Sequence, residues 1–368
     1  MKWISIVGAR PNFIKIAPFC RAIAAHNRNA TAASPIEHLL VHTGQHYDDR
    51  MSQAFFTELD IPQADLNLGI GSGTHAEQVG KTMIAFEQVC FEQKPDLVIV
   101  VGDVNATLAC SVTAKKLGIP VAHIEAGLRS GDHSMPEEIN RLVTDSVSDI
   151  LLAPDHFAVE NLLKEGHAEE RVHLVGNIMI DTLNRELPKA KALPLPTGLR
   201  PNTYAVITLH RPANVDNPAK LSTIVKTILA QADKGQHLFW PIHPRTRARL
   251  EGSGLLQALE AHPNLVLSEP LGYHELLRLN TQAQAFLTDS GGLQEECCVL
   301  GTPCVTLRDN TERPITLVEH GGTNVLTDLD ALPQILDAAL KTPCKPFVPS
   351  FWDGHTATRM VEILFHGC

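Results

Sequence analysis

A chain of 368 residues exceeds what a single hydrophobic core usually serves, so two domains of similar length are expected. Its 44% hydrophobic and 20% charged residues describe a globular protein, and a formal charge of −10 argues against nucleic acid or an anionic membrane as partner. An anionic small ligand would therefore need its own cluster of Arg, Lys and backbone N–H groups.

In chain order, Trp3–Ala9 is apolar but is cut short by Arg10 and Pro11. It is too short for a signal-peptide core and reads as a first buried strand over Trp3–Val7. Gly8 to Lys15 then turns into a helix over Phe13–Ala25, with Arg10 and Lys15 placed to hold a phosphate near its start; the bland alternative is a turn with two solvated cations. The segment is not GxGxxG, so no dinucleotide is indicated. A strand over His38–His42, helices over Met51–Leu59 and Ala76–Phe91, and a very apolar strand over Leu97–Val101 follow. Asp103, directly after that strand, has the position of a helix N-cap before a helix over Asn105–Leu117.

The next strand, Val121–Ile124, runs straight into Glu125. No helix-cap role is open to that residue, because Ala-Gly-Leu-Arg-Ser-Gly intervenes. A carboxylate flanked by apolar residues needs a partner or a raised pKa, which favours a functional role. Ser134-Met-Pro-Glu137 has the form of a capping box, with Glu137 as the reciprocal cap. Arg141, one helical turn on, would share its face as an ion pair or a charged ligand wall. Of the neighbours Glu137 and Glu138, one is expected to face the site and the other not.

After a strand over Ile150–Leu152 the pattern breaks near 188–201, a proline-rich stretch read as a linker. Domains are expected over 1–187 and 202–353, with a C-terminal helix near 354–368 crossing back onto the first. Strands over Ala205–Leu209, His237–Trp240, Leu265–Leu267, Ala285–Leu287 and Cys304–Thr306 restart the β/α alternation. His210 ends the first of these. Asp289-Ser290-Gly291-Gly292 follows Ala285–Leu287 and opens a helix carrying Glu296, a setting for close approach of a diphosphate to helix N–H groups with Ser290 as cap and donor. Arg313 stands at another helix start, or is simply solvated. The fold class is α/β, two Rossmann-like doubly wound domains facing a cleft, with ligands at the carboxyl ends of the strands.

No stretch approaches the ~18 apolar residues of a membrane span. The eight cysteines form no CxxC and read as free thiols of a cytoplasmic protein. Among eighteen histidines, His42 and His46 have i, i+4 spacing, but in strand end and turn; no metal site is expected.

The segments GARPNFIKIAP, TGQHYDDRMS, VGDVNATLA, HIEAGLRSGD, MPEEINRL, LHRPANVD, PIHPRT, LTDSGGLQEE and RDNTERP, in this order from residue 8 to residue 314, resemble the non-hydrolysing UDP-N-acetylglucosamine 2-epimerase family. The resemblance implies two Rossmann-like domains of the GT-B type, a homodimer, and a UDP-sugar substrate handled without a cofactor. The implied reaction interconverts UDP-GlcNAc and UDP-ManNAc by anti elimination of UDP through 2-acetamidoglucal. By motif position it implies Asp103, Glu125, Glu137 and His210 as catalytic residues. It implies Arg10, Lys15, Arg141, His243, Ser290, Gly291, Gly292, Glu296 and Arg313 as nucleotide-sugar contacts. Many bacterial members carry a glutamate three residues after the histidine of LHRPANVD, where it helps bind an allosteric UDP-GlcNAc; here that position is Ala213, and the Gln45–Met51 spacing is longer. The same segments resemble the branch acting on UDP-diacetamido-glucuronic acid. A GT-B glycosyltransferase, a hydrolysing epimerase and a non-catalytic nucleotide-sugar sensor are the competing readings.

Overall fold

The computed structural model describes residues 1–29, 35–44, 59–60 and 62–367, and the side chains of these apart from residues 10, 11 and 29. The helix expected over Met51–Leu59 lies, except for Leu59, outside the described residues, as do Gln45 and His46. By internal contacts the chain divides into two units, Met1–Arg185 with Pro349–Cys368, and Glu186–Val348.

The first unit contains β1 (Lys2–Val7), β2 (Glu37–His42), β3 (Leu66–Asn67), β4 (Leu97–Val101), β5 (Val121–Ile124), β6 (Ile150–Ala153) and β7 (Val172–Leu174). They pair in parallel in the order β3-β2-β1-β4-β5-β6-β7. β4 and β5 are buried along their whole length, which is why β4 reads as an unbroken apolar run and β5 as one broken only by His123. Ile4, Ile6, Val98 and Val100 pack on Phe86 and Cys110 of the helices His75–Gln93 and Asn105–Lys116 to form one core layer.

The second unit contains β8 (Tyr204–Thr208), β9 (His237–Pro241), β10 (Leu265–Ser268), β11 (Ala285–Thr288), β12 (Cys304–Leu307) and β13 (Asn324–Thr327). Their order, β10-β9-β8-β11-β12-β13, is again fully parallel. Ile207, Trp240, Leu287 and Val305 form the core of one face with Leu221 and Ile228 of the helix Pro218–Asp233. In both sheets the order reverses beside the first strand, between β1 and β4 and between β8 and β11. Crevices at such switch points are where doubly wound sheets bind ligands.

The stretch 188–201 is not a linker throughout. The helix Ile178–Ala192 continues through Pro188, and only the residues after Ala192 leave helical geometry. The helix Thr356–Gly367 packs on the helix Arg10–Asn29 of the first unit. Asp181 accepts the Thr356 and Ala357 N–H groups (3.1 and 2.8 Å), satisfying the start of this helix. No described helix is long and apolar enough to cross a membrane.

Candidate active site

Register decides which side chains leave each sheet together. Val101 of β4 pairs with Ile124 of β5, so Gly102-Asp103 and Glu125 emerge side by side. The Gly102 N–H donates to the Ile124 carbonyl (3.1 Å). Glu125 is only 4% exposed and adopts φ of 71°, a left-handed backbone that costs a non-glycine residue about 1–3 kcal/mol. The surroundings enforce it: Glu125 and Ala126 N–H groups donate to Leu152 O (3.1 and 3.2 Å), and Gly127 N–H donates to Asp145 (3.0 Å).

Asp145 is a hub at this turn. Burial pushes its carboxyl up, but His123, Arg129 and the Gly127 N–H outweigh that and hold it below the usual range. His123, fully buried on β5, contacts Asp145 Oδ1 through Nδ1 (2.6 Å) and the Gly102 carbonyl through Nε2 (2.8 Å), joining the ends of β4 and β5.

The partner that Glu125 needs is Lys15, 110 positions away, whose ammonium hydrogen-bonds Glu125 Oε2. Lys15 is thus placed on a carboxylate, where its position in the sequence suggested a phosphate. The Arg10 side chain lies outside the described residues.

Asp103 is not a helix cap. Val104 is the N-cap of Asn105–Lys116 and contributes no side-chain bond. Asp103 Oδ2 instead accepts from Arg141 Nε and Nη2 (3.1 and 3.0 Å) and stays one-third exposed. Nor does the capping box form. Met135 is the N-cap of Pro136–Val147, and the Ser134 hydroxyl donates to Asp132 (2.6 Å). Arg141 is buried and pairs with Glu138, not Glu137, while Glu138 also accepts the Ser130 and Gly131 N–H groups (3.0 and 2.9 Å). Glu138 is therefore the structural member of the pair, and Glu137 is exposed.

In the second unit Thr208 and Thr288 are paired in register, and their hydroxyls bond at 2.7 Å. His210 and Asp289 follow these ends. Asp289 is fully buried, and its carboxylate meets His210 Nδ1 at 3.0 Å. Burial pushes Asp289 up, but the His210 ring, the Arg211 N–H and the Asn214 amide together hold it below the usual carboxylate range. His243 is the exposed N-cap of Pro244–Gly252, its Nδ1 accepting from Arg245 N–H (3.2 Å), with its ring 5.8 Å from that of His210.

Ser290 occupies the N-cap of Gly291–Leu300 but makes no side-chain cap bond. Arg313 does stand at a helix start, as the N-cap of the short 3-10 turn Pro314–Thr316, but it is not solvated: it is mostly buried and donates through Nε to Glu295 (2.7 Å). Its guanidinium lies over Gly291, where a Cβ would come within 2.7 Å of Nη1. Gly292 faces open space. The helix start, with its unsatisfied N–H groups and an adjacent cation, has the make-up of an anion cradle. Glu296, buried in the same helix, is pushed up to about 7 by burial, with Tyr273 opposing and Glu295 adding to the shift.

Local sequence does not single out Glu138, Asp145, His123, Asp289 or Glu295 as partners at these sites. Asp289 had a visible signal, its place directly after a buried strand. The others are partners whose roles depend on contacts far along the chain. No cluster of three or more His, Cys, Asp or Glu suited to a metal occurs among the described residues.

Residues 28–365 match the family described as UDP-N-acetylglucosamine 2-epimerase. The chain belongs to this family. It is 41% identical, over the full length of both chains, to the UDP-N-acetylglucosamine 2-epimerase of Methanocaldococcus jannaschii. The crystal structure of the epimerase from that organism in complex with UDP-GlcNAc and UDP superposes with a TM-score of 0.88 over all of both chains. A UDP-2,3-diacetamido-2,3-dideoxy-D-glucuronate 2-epimerase of Pseudomonas aeruginosa is also 41% identical, over 99% of each chain. A lipopolysaccharide outer core galactosyltransferase shares the fold at a TM-score of 0.56 and 15% identity. As a member of the epimerase family the chain is an isomerase, built from the two Rossmann-like domains of the GT-B type.

Proposed function

We propose that the chain interconverts UDP-GlcNAc and UDP-ManNAc by anti elimination of UDP and its re-addition to 2-acetamidoglucal. The carrying observation is the set of carboxylates around the ends of β4 and β5. Asp103 is held by Arg141, Glu125 is buried against Lys15, and Glu137 is exposed. Inverting C2 requires a proton to leave one face and another to arrive on the opposite face, so acid/base groups in different settings are needed. Asp103 and Glu137 are the pair assigned to these faces, with Glu125 oriented by Lys15 beside them.

The C2 proton is weakly acidic, so departure of UDP must carry much of the charge development. The Gly291 helix start, Ser290 and Arg313 supply N–H, hydroxyl and cationic groups for the diphosphate, His210 stands beside them, and Glu296 takes the ribose hydroxyls. In this reading the enzyme is a cytoplasmic homodimer, and its product feeds cell-surface polysaccharide precursors.

The Pseudomonas relative supports a second reading at equal identity, the same inversion on an acidic diacetamido UDP-sugar. One experiment separates the two. The protein is incubated in D2O with each UDP-sugar, without added nicotinamide or metal, and C2 is followed by proton NMR. Deuterium at C2 with UDP-ManNAc formed establishes the first reading. Exchange on the diacetamido-glucuronate alone establishes the second, and release of free ManNAc marks a hydrolysing enzyme.

A further inference from the structure

Asp289 is the group around which the second switch point is built, and nothing in the reaction outlined above uses it. It lies at the end of β11, fully buried, facing the end of β8. Its two oxygens have different duties. Oδ2 accepts the His210 and Arg211 N–H groups (3.1 and 2.9 Å) and the Asn214 amide (3.1 Å). Oδ1 accepts the His210 N–H (3.1 Å) and faces the His210 Nδ1 (3.0 Å). The backbone and the ring of one histidine are thus fixed by a single carboxylate. The Thr208–Thr288 hydroxyl bond and the Asp289 N–H to Thr208 carbonyl bond (3.2 Å) tie the two strand ends together.

We propose that Asp289 is a positioning residue for the epimerisation, holding His210 in the tautomer that carries its proton on Nδ1 and so leaving Nε2 as the working nitrogen. The inference rests on the functional reading above, which places His210 beside the diphosphate. An ionised carboxylate can only accept, so Nδ1 must donate. Nε2 then accepts a proton when the ring is neutral and donates to a phosphate oxygen when it is charged. Half-exposed, His210 presents that nitrogen without giving up its orientation.

Asp289→Asn reverses this logic with little change in shape. Oδ2 has three donors to satisfy, so the asparagine carbonyl oxygen takes its place. The NH2 group is then turned toward His210 Nδ1, which must become the acceptor, and the proton moves to Nε2. A reversed tautomer in an Asp–His pair is known to cost up to about 10^4 in kcat where the imidazole does proton work.

The test combines a spectroscopic and a kinetic readout. Side-chain 15N NMR of the full chain, with His210 assigned through His210→Asn, should show an Nδ1-protonated neutral ring in the wild type and an Nε2-protonated one in Asp289→Asn. The Asp289→Asn change should lower kcat roughly 100-fold or more, with KM for UDP-GlcNAc within about threefold, and should cost little more when added to His210→Asn. A wild-type ring protonated on Nε2, or losses that multiply in the double variant, would overturn the proposal. If Asp289→Asn does not fold, the wild-type tautomer alone decides. If the wild type does not turn over UDP-GlcNAc, the functional reading fails, and the tautomer is still read independently.

Discussion

Asp103 and Glu296 show how differently two carboxylates of one chain can be placed. Asp103 is one-third exposed and held by Arg141, which keeps a second partner in Glu138. Asp103→Asn therefore removes the proposed acid/base group without stranding the buried arginine. It should abolish C2 deuterium exchange while UDP affinity, measured by calorimetry, changes less than about threefold. Near-normal exchange would remove Asp103 from the mechanism. Glu296 is buried, and burial pushes its carboxyl up to about 7 from an ordinary value of 4.5. Because its folded pKa is the higher one, the folded chain retains a proton that the unfolded chain loses. This contribution is full below pH 4.5, falls as pH rises toward 7, and amounts to about 3 kcal/mol across the window. Glu296→Gln should flatten that part of the urea-unfolding free energy between pH 5 and pH 8; parallel pH dependence in variant and wild type would show that Glu296 does not titrate there.

At the scale of elements, the helix Gly291–Leu300 is the proposed cradle because its first two residues are glycines. Gly291→Ala would place a Cβ within 2.7 Å of Arg313 Nη1, whereas Gly292→Ala meets nothing within 4 Å. The first change must shift the Arg313 guanidinium from its place over the helix start. UDP affinity should fall about tenfold or more in Gly291→Ala, with the Arg313–Glu295 pair disturbed before any ligand arrives. Gly292→Ala should leave thermal stability unchanged. Equal UDP affinity in Gly291→Ala and the wild type would mean that Arg313 and this helix start do not form the diphosphate site.

The elements also show what a sequence can and cannot reveal. The central strand Leu97–Val101 is buried on both faces, so burial writes itself into an apolar run. The strands without an apolar signature of their own are Leu66–Asn67, Val172–Leu174 and Asn324–Thr327. Each lies at a sheet edge, and the first two have no buried residue. An edge strand that is half solvated need not be apolar, so periodicity does not register it. At the site, strand ends identified Asp103, Glu125 and His210 as candidates. Their partners were not legible, because Lys15 with Glu125 and Arg141 with Asp103 are contacts across 110 and 38 positions. The choice between Glu137 and Glu138 turned on where the helix starts, one residue later than a capping box would set it.

At the scale of the whole molecule, the chain ends in the unit where it began. Pro349–Cys368 belongs to the first unit, although the second unit precedes it in sequence. Trp352, Met360, Val361 and Leu364 are buried there, and the Trp352 indole N–H donates to the Pro154 carbonyl (3.0 Å). Gly176 admits the returning chain closely: a Cβ at that position would lie 2.0 Å from the Phe351 carbonyl oxygen. Burying four such side chains contributes roughly 6–12 kcal/mol, comparable to the full stability of a domain. A chain ending at Val348 should therefore lose cooperative unfolding of the first unit while Glu186–Val348 keeps its own transition. Calorimetry should show the retained transition, and it should rise in temperature with added UDP, because the proposed cradle lies wholly in Glu186–Val348. C2 exchange should vanish with the first unit's carboxylates. Loss of every transition would instead show that the second unit depends on the first for its fold.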